Sequence, residues 1–232
     1  MNPFLNAYGI DPGRTRGVTL SFGLACAIAM GVTCKDHMVN NPMNMRQEQR
    51  NAGSECDVQV ALSPRTEREM DCAITVKNMS DHDLYLFNRV YRGRTEEGRP
   101  DFDRNEFYTY LDDRGRLVLA KAIIPVPAGL HVESKICPAC TKVPPGGIVE
   151  DHLVIPIPIE MYAPYTKKRP PPQGVRPMVV FRFGYFLGHE GTAAMEIKLP
   201  SKEGEVIYFD PFDHNFQKII EVGPFQPLPI AP

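Results

Sequence analysis

From Cys56 onward, this chain places apolar residues at every second position in short runs that end at turn residues. "CDVQVALSP" sets Val58, Val60 and Leu62 against Asp57, Gln59 and Ala61. "DCAITVKNMSD" sets Cys72, Ile74 and Val76 against Ala73, Thr75 and Lys77. Successive side chains of a strand point to opposite faces, so a period of two marks a half-buried strand. The punctuation excludes the main alternative. The 232 residues include 23 prolines and 18 glycines, a proline share about twice the usual value near 5%. Proline breaks helix interiors and, in sheets, is confined to edges and bulges.

Further strands follow. "DLYLFNRVY" (Asp83 to Tyr91) is one, and "EFYTYLDDRGRLVLAKAII" reads as a hairpin turning at Asp112-Asp113-Arg114-Gly115. "HLVIPIPIE" puts Leu153, Ile155, Ile157 and Ile159 on one face, and Pro156 and Pro158 make it an edge strand. "MVVFRFGYFLG" (Met178 to Gly188) is the most apolar run and is expected at the centre. "TAAMEIKLP", "GEVIYFD" and "NFQKIIEVG" supply the last extended segments. About nine short strands separated by turns predict an all-β sandwich. A 43% hydrophobic content supports a real core.

The succession "TVKNMSDHDLYLF", "VPPGGIVEDHLVIPIPI" and "FRFGYF" resembles immunoglobulin-like domains of bacterial envelope proteins. There, a strand ends in an Asn-Ser turn and a Pro-Gly turn introduces a later strand. The resemblance spans about residues 56–200. It implies an immunoglobulin-like β-sandwich, and fold alone implies no function.

The N-terminus carries Arg14 and Arg16, then the uncharged run Gly17 to Cys34, closed by Lys35-Asp36. A basic flank, an apolar stretch and the small residues of Ala27 to Ala29 fit a secretory signal. The run is also long enough to be an uncleaved helical anchor. Cys26 and Cys34 are lipidation candidates if the signal is that of a lipoprotein, and a buried core helix is the remaining alternative. The expected organisation is a signal or anchor at 1–35, a flexible tether at 36–55, a β-sandwich at 56–223 and a proline-rich tail at 224–232. The first three readings export the remainder to the cell envelope, on its periplasmic or extracellular face.

Export makes Cys56, Cys72, Cys137 and Cys140 disulfide candidates, with three possible connectivities. Cys137-Pro-Ala-Cys140 also matches half a zinc site or a redox pair. A redox pair needs a following helix, which "TKVPPGG" cannot form, and zinc needs a second ligand pair. Asp101, Asp103, Asn105 and Asp112 have calcium-loop spacing, but Glu106 stands where glycine is required. Asp36-His37, Asp81-His82, Asp151-His152 and Asp213-His214 read as polar turns or strand ends. Asn78-Met79-Ser80, formally a glycosylation sequon, reads as a turn. No nucleophile elbow, phosphate loop or His-Glu-x-x-His motif occurs. The net charge of -2 carries no nucleic-acid footprint.

Met161 to Pro177 is a long loop with five prolines and four basic residues. Its Tyr162, Tyr165, Lys167, Lys168 and Arg169, with the Pro-flanked strand before it, form the expected partner-binding surface. The leading expectation is a non-enzymatic envelope binding protein, without cofactor or catalytic residue, with a protein partner and a membrane contact through the N-terminus. The alternatives are a thiol-disulfide or zinc-dependent protein using Cys137 and Cys140, and a structural subunit of an envelope assembly.

Overall fold

The computed structural model describes residues 45–132, 136–165, 176–188, 196–201, 204–209 and 214–231. All belong to one unit within Asn40–Pro232. The N-terminal hydrophobic run, with Cys26 and Cys34, lies outside the described residues, as do Lys167, Lys168 and Arg169.

The first strands are β1 (Gln47–Ala52), β2 (Cys56–Thr66), β3 (Glu69–Asn78), β4 (Leu84–Arg94), β5 (Pro100–Asp103) and β6 (Tyr108–Leu111). Next come β7 (Leu117–Lys121), β8 (Ala139–Val143), β9 (Ile148–Pro156) and β10 (Val179–Leu187). The last are β11 (Glu196–Ser201), β12 (Gly204–Phe209) and β13 (Lys218–Phe225). One sheet has the order β1-β2-β3-β9 and is antiparallel throughout. The other runs β11-β12-β8-β4-β10-β7-β6, with β13 added to β10 and β5 to β4. The β7–β10 pairing is parallel.

The alternation locates the core. Cys56, Val58, Val60 and Leu62 of β2, with Cys72, Ile74 and Val76 of β3, pack in one cluster with Leu84, Leu86, Leu119, Phe181 and Phe183 of the other sheet. Two sheets thus share one interior layer, and the described residues form an all-β fold. β9 is an edge strand as its prolines require, and β10 is central, flanked by β4, β7 and β13. The β6–β7 hairpin turns at Gly115, whose φ of +72° favours glycine, with the Gly115 N–H donating to Asp112 O at 2.9 Å.

Two local expectations are revised. β1 falls inside the stretch read as a tether: its side chains are almost all exposed, so it lacks the apolar alternation that betrays a strand, and it is held by backbone pairing to β2. Asp151-His152 is not a turn. It sits mid-strand in β9, with Asp151 buried and His152 exposed, on opposite faces as strand geometry demands.

Candidate functional site

Two charged residues occupy positions of core parity. In β7, Leu117, Leu119 and Lys121 share a face, and all are fully buried. In β9, Asp151 shares its face with Leu153 and Ile155 and is 4% exposed. Burying a charge is costly without partners, and both residues have them. Lys121 Nζ donates to Asn88 O at 3.1 Å and to Arg104 O, and lies 4.9 Å from the Phe107 ring centroid. Arg104 Nη2 donates to Asp151 Oδ1 at 2.7 Å, and Asn88 Nδ2 donates to Asp151 Oδ2 at 3.4 Å. Asn88 Oδ1 in turn accepts from Thr141 Oγ1 at 3.0 Å and Arg89 Nη1 at 3.1 Å. The result is a polar bridge across the sandwich, from β9 of one sheet to β4, β7 and β8 of the other.

Burial lowers the Lys121 pKa to about 8 against the opposing pull of the Asp151 charge. A lysine so placed resembles a catalytic base, but its donors are engaged by backbone carbonyls and it has no exposed surface. Through Phe107 the bridge adjoins a neighbouring cavity.

That cavity, of about 470 Å³, opens between the end of β9 and the β5–β6 region. Val90, Phe107, Leu119, Ile155 and Ile159 give it an apolar floor, and Arg92, Asn105, Glu106 and Glu160 a polar rim. Phe107 belongs to both features: it lines the cavity and carries Lys121 on its ring. On the rim, Arg92 Nη1 lies 3.1 Å from Glu106 and 3.5 Å from Asp103. The volume falls in the range of about 300–1,000 Å³ typical of binding sites.

The start of the proline-rich loop closes one side. The Tyr162 N–H donates to Thr109 Oγ1 and the Thr109 N–H to Tyr162 O, each at 2.6 Å. Tyr162 stays half exposed and lines the cavity. Tyr165 instead packs inward, its hydroxyl accepting from the Ile136 N–H at 2.7 Å, with a φ of +64° that such anchoring must hold. The two tyrosines thus part company. Tyr162 faces the cavity, whereas Tyr165 fastens the loop.

Cys56, Cys72, Cys137 and Cys140 are all buried, and no disulfide joins them in this structure. Cys56 pairs with Asn78 and Cys72 with Leu62. Six residues of strand, about 20 Å, separate Cys56 from Leu62, so these two cannot bond each other. Cys137 and Cys140 share an aromatic cluster with Tyr85, Phe87, Phe186 and Phe209. Burial pushes the Cys140 thiol well above its ordinary pKa, and Cys56 and Cys72 up to about 12. Cys140 lies in strand β8 and no helix follows it, so thiolate chemistry has no support here. The acidic spacing also disperses. Asp103 accepts from the Asn105 N–H at 2.7 Å, while Asp112 is held by Arg116 and Arg182 at 2.7 and 3.0 Å. Among the described residues no group of His, Cys, Asp and Glu could hold a metal ion.

Lys121 belongs to no motif, and Asp151 stands out in the sequence only as half of Asp151-His152. Their signal was parity, a charge on the apolar phase of "LVLAK" and of "DHLVI". Comparison with known protein families, with curated proteins and with solved structures returns no match.

Proposed function

We propose that this chain is a non-enzymatic binding protein of the cell envelope, which captures an extended segment of a protein partner at the cavity beside the Pro-flanked edge. The observation that carries this reading is the cavity itself. Its apolar floor, polar rim and position at a sheet edge suit an extended peptide. It is built from Pro156, Pro158 and Ile159 together with Met161 and Tyr162, the Pro-flanked strand and the loop start that the sequence singles out. Export, through a signal or anchor in the first 35 residues, is part of the proposal, as is an immunoglobulin-like sandwich. Two sheets sharing one core support the latter.

The test fills the cavity from an exposed rim position. Asn105→Trp leaves every buried contact in place. Retention of a specific envelope protein on the immobilised chain should fall at least tenfold with this variant. Equal retention by the two proteins contradicts the reading.

A further inference from the structure

Residues 226–231 run beside Ile159, just beyond the end of β9. Ile159 and Ile230 form an isolated parallel bridge. The Ile159 N–H donates to Pro229 O at 2.8 Å, and the Ala231 N–H donates to Ile159 O at 2.9 Å. Leu228, 3% exposed, enters the main core, and Ile230 packs against it. Pro227 and Pro229 have no amide, so the segment offers few donors. Three hydrogen bonds, the third from the Gln226 N–H to Gln47 Oε1 at 2.7 Å, and one buried side chain, Leu228, are a light attachment.

The seat continues past its occupant. Pro158 and Ile159 also line the cavity, so the tail's bridge residue is a cavity residue. β9 pairs with β3 on one side, and among the described residues no strand pairs with its outer edge. An open edge of this kind is a template for another extended chain.

We propose that Ile157 to Glu160 and the adjoining cavity are a receptor for an extended, proline-interrupted apolar segment of a partner protein, and that residues 226–231 are its resident internal ligand. The occupant's chemistry follows from what already sits there: apolar side chains at alternate positions, Leu228 and Ile230, interleaved with prolines. A partner strand that makes the same backbone bonds and also fills the cavity outcompetes the tail. This inference rests on the binding reading above.

The test uses the full chain and a fluorescent peptide with the sequence of residues 224–232. The Ile230→Asp variant, which weakens the internal seat, should bind this peptide at least tenfold more tightly than the unaltered chain, and as a monomer on sizing. Equal or absent binding by both proteins overturns the proposal. So does a dimer that excludes the peptide, because the occupant is then a second copy. A second measurement needs no variant. In the unaltered chain, the Ile159 and Ala231 amides should exchange at least tenfold faster than Ile157, whose N–H donates to Arg68 O at 2.7 Å within the fold. Equal protection overturns the proposal even if the variant fails to fold. Failure of peptide binding with partner retention intact removes this inference alone, whereas loss of Asn105→Trp sensitivity removes the reading beneath it.

Discussion

At the residue scale, Lys121 gives the account its sharpest handle. Its folded pKa of about 8 lies below the ordinary lysine value of 10.5. Between those values the unfolded chain holds a proton that the folded chain lacks, so this group's contribution to stability rises with pH. At neutral pH both states are protonated and the burial penalty is fully present. Relative to Lys121→Met, the unaltered protein should gain about 3 kcal/mol on going from below pH 8 to above pH 10.5. Urea titrations of the two proteins across that window measure the difference; parallel profiles contradict the assignment. The comparison matters because thiols act in the opposite sense: Cys56 and Cys72, raised to about 12, favour unfolding once free thiols ionise. The same two thiols should resist alkylation at neutral pH until the protein unfolds, read by mass mapping. Rapid modification of the native chain contradicts their burial. Parity made Lys121 and Asp151 legible in principle. Their partners were not, since Asn88, Arg104 and Thr141 reach the bridge from other strands and loops, and only the register assembles them.

At the element scale, single residues decide how strands join. Asn78 ends β3 with its side chain fully buried. Its Nδ2 donates to Val143 O at 2.8 Å and His82 O at 2.7 Å, and its Oδ1 accepts from Ser80 N at 2.9 Å. This ties one sheet to β8 of the other, and it makes the sequon a fastening. Asn78→Ala should cost about 3 kcal/mol, because several buried groups lose partners together. Ser80→Ala should cost about 1 kcal/mol or less. Chemical denaturation distinguishes them, and equal effects contradict the tie. In β10, a Cβ at Gly184 would lie 2.5 Å from Gln217 Oε1 and 3.0 Å from both Ala122 and Phe87. Gln217 Oε1 accepts from the Ile123 N–H at 2.7 Å, so Gly184→Ala crowds a used contact and should cost about 1–3 kcal/mol. The strands with clean alternation, β2 and β3, were legible with their faces, as were the β6–β7 hairpin, the β9 edge and the centrality of β10. β1 was not, because backbone pairing and polar side-chain contacts such as Arg50 to Asp57 hold it, and an exposed strand writes no apolar pattern. β5, four residues long, is too short to show a period.

At the scale of the whole molecule, the sandwich presents one wall where two sheets, a polar bridge and a cavity meet. The bridge adds a charged tie between sheets that already share an apolar core. Asp151→Ala should destabilise the fold by about 1–3 kcal/mol in chemical denaturation, and no change would contradict the tie. The end of β9 and the start of the 161–177 stretch stood out in the sequence by their prolines, and residues of both line the cavity. The cavity was not, because Val90, Phe107 and Leu119 come from separate strands and only the folded sheets converge them. The central claim is that this wall meets a partner. The most direct measurement is site-specific photocrosslinking in the native envelope, with the photoreactive residue at Asn105 on the cavity rim and, as control, at Lys198 on β11. The account predicts a discrete protein adduct from Asn105 and none from Lys198. No adduct at Asn105, or the same adducts from both positions, would contradict it.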